Sequence, residues 1–288
     1  WTWNTELVCY ATRGKHTFNF PRTFNPDTSL PKLSISAVIG MITEPFDSEG
    51  VAKKTYNKHF SNPESQYYQM TVEQILESWA AKGQESLRYG RLNDEYIGLV
   101  LEGTEDEIEL FKLDHDADGD ERLGNQILSF NQFIENLPEH IKYVTREKTL
   151  YYKINDTVLN GRFDALFYDA VRNKYIIVDW KTSGTVDTEG NQWTNNLLGP
   201  AKCFPNLNWY IYTIQVYFYK MALLQSGILP EVTSPDQIEV MIVNLPGKQF
   251  EDGKYYKEYY NAFEYDEDKL KGIFEFAIKK HNIINKKK

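Results

Sequence analysis

The stretch Gly161–Ser183, GRFDALFYDAVRNKYIIVDWKTS, decides how this chain is read. An apolar-rich run from Val158 to Tyr168 precedes a polar turn over Asp169–Lys174, and Tyr175–Lys181 (YIIVDWK) follows it. Two apolar runs around a polar turn predict a β-hairpin. Side chains alternate along a strand, so Tyr175, Ile177, Asp179 and Lys181 share one face and Ile176, Val178 and Trp180 the other. With Tyr168 opposite Tyr175, the register puts Asp164 across from Asp179, and directly opposed residues have Cβ atoms about 5 Å apart. Two carboxylates and an ammonium then meet on one patch of an apolar sheet.

Like charges facing each other destabilise a sheet, so the pair calls for a neutralising partner. A hard divalent cation such as Mg²⁺ serves, because it takes one or two carboxylates together with water and substrate phosphate. Lys181, two residues on, is placed to orient a water or offset phosphate charge. A solvated Asp–Lys pair is the plain alternative for any one such pair. Three groups converging beside Ile-Ile-Val point instead to metal-dependent phosphodiester hydrolysis. Downstream, Gln215-Val-Tyr-Phe-Tyr219 has the i, i+4 spacing that sets Gln215 and Tyr219 on one helical face.

Asp164 followed by Asp179-Trp180-Lys181 at the end of an apolar strand resembles the D…(D/E)-x-K core of the PD-(D/E)xK nuclease superfamily. Gln215 and Tyr219 resemble the Q-x-x-x-Y motif of its RecB-like exonucleases. Ser36–Ile39, Pro45-Phe-Asp47, Met70-Thr71, Ile75-Leu76 and Trp79 are similar to the N-terminal signatures of a group found in large DNA phages and viruses. The last signature departs: Gly90-Arg-Leu-Asn-Asp94 has Asp94 where that group has a metal-binding His. A carboxylate suits Mg²⁺ or Mn²⁺, so Asp94 is either a substitute ligand or a surface residue, with Glu85 and Glu95 as further candidates.

The resemblance implies an α/β (mixed α+β) fold, a central mixed sheet of restriction-endonuclease-like type flanked by helices. It implies a DNA exonuclease in which Asp164, Asp179 and the Trp180 backbone carbonyl hold Mg²⁺ or Mn²⁺. Lys181 would activate the water, and Gln215 and Tyr219 would fix the substrate strand. The implied partners are DNA with single-stranded or free ends and phage or viral replication or recombination proteins, in the cytoplasm of an infected bacterial host. The alternative is a catalytically impaired nuclease fold used for nucleic-acid binding or assembly.

The 288 residues suffice for one substantial core. The expected organisation is one domain over 1–288, with a mainly helical part at 1–140 and the catalytic sheet plus C-terminal helices at 141–288. A net charge of −9 argues against coating a duplex through a broad basic surface, and leaves a local basic groove open. Two cysteines, Cys9 and Cys203, are too few for a disulfide framework or a four-cysteine Fe–S cluster. No apolar run approaches about 18 residues, so no membrane partner is expected and a cytoplasmic setting is. No phosphate-binding Gly-rich loop is present, so a helicase partner would be a separate chain.

Along the chain, short strands are expected over Leu7–Phe24, then an apolar helix over Ser34–Thr43 capped by Ser34 or Ser36. A second helix follows over Ser48–Phe60. Thr71 and Gln74 form a capping box for a helix with an Ile75, Leu76, Trp79, Ala80 stripe, breaking at Gly83 or Gly90 before Leu92–Leu101. Asp114, Asp116, Asp118 and Gly119 match the start of an EF-hand loop, but its twelfth position is Asn125 rather than Glu, so a solvated acidic turn is expected. A helix over Gly124–Asn136 buries Ile127, Leu128, Phe130, Phe133 and Ile134. One strand over Tyr143–Ile154 then completes a three-stranded meander with the hairpin.

Gly184–Gln192 reads as a mobile loop beside the site. Trp193, Trp209, Tyr210 and Tyr212 are either packing aromatics or platforms for unpaired bases, at about 1–3 kcal/mol each. A strand at Ile238–Asn244, an edge hairpin turning at Asp252-Gly253, an amphipathic helix over Asp266–Asn285 and a basic tail at Lys286–Lys288 finish the chain.

Overall fold

The structure is a computed structural model that describes residues 30–182, 184–191 and 194–285. The strands expected over Leu7–Phe24, Trp193 and the tail at 286–288 lie outside the described residues. The fold is mixed α+β, with seven α-helices and two mixed sheets among the described residues. The smaller sheet has the order β1 (Lys32–Ser34), β4 (Thr157–Arg162), β3 (Thr149–Ile154). The larger has the order β2 (Ile141–Arg146), β5 (Ala165–Asp169), β6 (Lys174–Lys181), β7 (Ile238–Asn244), β8 (Lys257–Tyr259).

Strand β6 is the axis of the larger sheet. It is buried from Tyr175 to Trp180, as a central strand covered on both faces must be, and this is why its sequence runs apolar rather than alternating. It pairs antiparallel with β5 and parallel with β7. The register is the one expected from the turn, with Tyr168 opposite Tyr175 and Ala165 opposite Val178. Tyr175 and Ile177 enter one core, and Ile176, Val178 and Trp180 the other.

The first core holds α1 (Ile35–Ile42), α6 (Asn208–Ser226), α7 (Glu267–Asn285) and the smaller sheet. The second holds α3 (Val72–Glu102), α4 (Glu105–Asp114) and α5 (Glu121–Glu135). Helix α2 (Ser48–His59) packs on α3 away from both. Helix α6 connects the parallel pair β6 and β7, as a parallel crossover requires.

Several boundaries differ from the sequence reading. The run Val158–Tyr168 is two strands in different sheets, because the chain turns out of one sheet and into the other at Phe163-Asp164. Phe163 is fully buried at this corner, where it anchors the change of direction. Tyr143–Ile154 likewise divides into β2 and β3 at Glu147-Lys148, with Glu147 at φ 51°. No simple meander forms: β2 and β5 pair in the larger sheet, β3 and β4 in the smaller.

Helix α3 runs unbroken through Gly83 and Gly90 for 31 residues. A helical Gly costs about 1 kcal/mol, and the packing of Tyr89, Leu92, Tyr96, Ile97, Val100 and Leu101 exceeds that. Its capping box at Thr71 and Gln74, and the Ser34 cap of α1, form as expected.

In α5 the buried stripe is Leu123, Ile127, Phe130 and Ile134, with Phe133 beside it; Leu128 falls one position off the stripe and is 39% exposed. Asp120 ends the acidic turn by capping α5. The turn at Asp252-Gly253 is present, but β8 pairs with β7 rather than with the arm preceding that turn. No helix among the described residues is long and apolar enough to cross a membrane.

Candidate active site

A cavity of about 270 Å³ opens at the C-terminal end of β6. Its walls come from five places: α3 supplies Asn93 and Asp94, the β2–β3 turn Glu147, the β4–β5 corner Asp164, β6 Asp179, Trp180 and Lys181, and α6 Gln215. Tyr219, one turn beyond Gln215, completes the group from behind. The sequence-predicted catalytic residues therefore come together in space.

Asp164 does not sit in the β5–β6 ladder as a simple cross-strand partner. It lies one residue before β5, and its Oδ2 accepts the Trp180 N–H at 2.8 Å, taking the place of a ladder carbonyl. Asp179 is 1% exposed. Its Oδ1 accepts from Gln215 Nε2 at 3.2 Å, and its Oδ2 lies 2.5 Å from Lys181 Nζ. That ion pair is close but poorly directed, leaving Oδ2 a buried oxygen without a directed donor. Lys181 also donates to Gln215 Oε1 at 3.4 Å and stands 4.5 Å from the Tyr212 ring. Gln215 Nε2 reaches Tyr219 Oη at 3.0 Å.

Why the backbone permits this is visible at two glycines. A Cβ on Gly161 would lie 2.8 Å from the Tyr219 ring and 2.3 Å from Ile35 Cδ1, so only glycine lets β4 pass this close to α6. A Cβ on Gly98 would collide with the Arg146 guanidinium. Lying flat on α3 there, Arg146 reaches both the backbone carbonyl and Oδ1 of Asp94 at 3.2 Å, one helical turn earlier.

The electrostatics are those of a crowded charge cluster. Burial, then the neighbouring Asp179 charge, pushes the Asp164 carboxyl far above its usual range, to about 8. For Lys181 burial works against the charge, but Asp179 and Asp164 outweigh it and hold the ammonium above its ordinary value. Burial, reinforced by Asp179, pushes the Tyr219 hydroxyl up, so Tyr219 is a neutral hydrogen-bonding group.

The residues fit a hard divalent cation in part. Asp164 and Asp179 offer acidic oxygens on one wall, one of them a buried Oδ2 lacking a directed donor. Two carboxylates with water and phosphate are a sufficient Mg²⁺ set. Asp94 borders the same cavity, with one oxygen held by Arg146. Among the described residues no three His, Cys, Asp or Glu side chains are gathered as a ready ligand set. Glu85 pairs with Arg122 and Glu95 is exposed; neither lines the cavity.

Sequence reasoning missed Glu147, Arg162 and Asn93. Glu147 and Arg162 pair at 3.0 Å on the cavity rim. The charged Arg146-Glu147-Lys148 triplet inside an otherwise strand-like run was the available signal. Asn93 is 1% exposed with an unpartnered Oδ1; nothing in a single sequence marks such an amide. Of the stacking candidates, Trp209 donates to the Tyr260 carbonyl, Tyr210 stacks on Phe263, and Tyr212 borders Lys181. No protein-family model matches this chain, and no curated protein sequence is significantly similar to it.

Proposed function

We propose that this protein is a Mg²⁺- or Mn²⁺-dependent nuclease of the PD-(D/E)xK, RecB-like type, a DNA exonuclease of phage or viral replication, recombination or repair. The observation that carries this reading is the convergence of Asp164, Asp179, Lys181, Gln215 and Tyr219, from three separate segments, into one hydrogen-bonded cluster on a cavity. A structural ion pair needs neither the second carboxylate nor the opening.

Asp164 and Asp179 would hold the metal, with the Trp180 carbonyl as a further oxygen. When bound, the metal supplies a nucleophilic water at neutral pH and charge stabilisation for the phosphate. Lys181 is an ammonium kept charged by its neighbours, suited to orient that water and offset charge on the phosphate oxygens. Gln215 orients Asp179 and is braced by Tyr219. Arg162 at the rim is 61% exposed and suited to meet a backbone phosphate.

A second reading, an impaired nuclease fold that binds nucleic acid or assembles with a partner, draws on the Arg146 contact to Asp94 and the Lys181 contact to Asp179. The two readings separate in one assay: end-labelled linear and circular DNA, single- and double-stranded, with Mg²⁺, Mn²⁺ or EDTA. Metal-dependent loss of linear substrate, abolished by Asp179→Ala, is expected. No cleavage with either metal, and wild type indistinguishable from Asp179→Ala, overturns the enzyme reading in favour of the second.

A further inference from the structure

A second and larger cavity, about 550 Å³, lies at the opposite end of the β6–β7 pair. Its floor includes Ile238, which pairs with Tyr175, six residues before Lys181. At about 3.3 Å per residue that is roughly 20 Å from the catalytic lysine. Small-molecule sites run to about 300–1,000 Å³, so the volume suits a metabolite.

What distinguishes this cavity is Lys220 of α6. It is 8% exposed, yet among the described residues no acceptor lies within hydrogen-bond or ion-pair reach of its Nζ. It faces two aromatic rings, with Nζ 4.8 Å from the Tyr265 ring centre and 5.9 Å from that of Tyr217. The Tyr265 hydroxyl is itself buried and unpartnered. Burial pushes the Lys220 ammonium down, to about 8. A buried hydroxyl without a partner is costly, and Tyr265 and Lys220 line the same open space, where the ammonium reaches the cavity's solvent.

The other charges around the cavity sort into two kinds. Arg172 and Glu239 are consumed by each other, with Asp169 and Lys174 completing the network. Asp236 and Glu264 line the cavity, are exposed, and have no ion-pair partner among the described residues. Lys220 thus has no carboxylate in contact while the mouth offers free ones. A multiply charged phosphate would meet repulsion at that mouth; a molecule with a carboxylate at one end and an amine at the other matches both.

We propose that this cavity is a binding site for a small amphoteric molecule, an amino acid or short amino-carboxylate, with its carboxylate on Lys220 Nζ and Tyr265 Oη and its ammonium toward Asp236 and Glu264. The site does not depend on the nuclease reading, and its readout is binding rather than hydrolysis.

The test is calorimetric titration of the whole chain with glycine, γ-aminobutyrate and ε-aminocaproate, which separate the two charges by increasing lengths, and with acetate and inorganic phosphate. At least one amino-carboxylate should bind at millimolar concentration or tighter, and more tightly than acetate. Lys220→Met and Tyr265→Phe should each weaken it tenfold or more. Asp236→Asn combined with Glu264→Gln should weaken the amino-carboxylates and leave acetate no weaker. Should Lys220→Met fail to fold, protection of Lys220 from acetic anhydride by the bound probe, read by mass spectrometry on wild type, takes its place. Binding of none of the amino-carboxylates, binding insensitive to Tyr265→Phe with Lys220 unprotected, or tighter binding of phosphate would each overturn the proposal.

Discussion

Two lysines on the α6 side of the larger sheet have opposite fates. Lys181 has Asp179 at 2.5 Å and Asp164 nearby, and its ammonium is held above the ordinary lysine range. Lys220 sits between two tyrosine rings with no carboxylate in contact, and its ammonium is pushed down to about 8. The loss of water is common to both; a contacting anion is not. Burial alone thus does not decide a lysine's charge, and the same side of the sheet can present a fixed cation at one end of the strand pair and a conditional one at the other.

The sharpest way to break this contrast is at Asp179. Asp179→Asn should leave no measurable metal-dependent turnover and should release Lys181, whose ammonium then falls below the ordinary range as that of Lys220 does; calorimetric Mg²⁺ titration and the pH dependence of lysine labelling check the two halves. Lys181→Met should retain metal binding but lower the cleavage rate by about 10²–10³, measured in single turnover. Tyr219→Phe, which removes only the brace on Gln215, should cost about 10–100-fold.

The stability profiles sharpen the comparison with smaller effects. Asp164 in the fold titrates near 8 instead of 3.8, so the folded chain keeps a proton that the unfolded chain releases. Its contribution is greatest in acid and is lost as pH rises from about 4 towards 8. Asp164→Asn should remove that slope, and so gain on wild type as pH rises, in urea melts with EDTA present. For Lys220 the sign reverses. Its folded value lies near 8 against 10.5, so the unfolded chain binds more protons and stability rises with pH between those values. Lys220→Met should flatten this rise and stabilise the fold at neutral pH by about 1–3 kcal/mol, several degrees in Tm.

Much of the site was legible because its residues obey local periodicities. The strand alternation that puts Asp179 and Lys181 on one face, the turn that sets Tyr168 against Tyr175, and the i, i+4 pair Gln215 and Tyr219 need no knowledge of the rest of the chain. What was not legible depends on partners far away in sequence. The corner at Phe163-Asp164 exists because β4 pairs with β1, whose Lys32 matches Val158. The continuity of α3 past two glycines depends on Tyr96 and Ile97 packing against another layer. The pinning of Asp94 requires Arg146, 52 residues on, and a glycine at 98 to admit it. Leu128 was misplaced for a smaller reason: five apolar residues in eleven leave one off any single stripe.

The corner at Asp164 also sets when the carboxylate cluster is assembled during folding. Asp164 belongs to neither sheet and is fixed by both: β4 delivers it from one side, and the Trp180 amide receives it from the other. The smaller sheet closes only when β1 finds β4 across more than a hundred intervening residues, the kind of non-local pairing that forms slowly. A nascent or partly folded chain can therefore own a complete β5–β6 hairpin and still lack Asp164 in its place beside Asp179. If the proposed nuclease activity needs Asp164 in place, refolding followed by cleavage should lag behind refolding followed by the burial of Trp180.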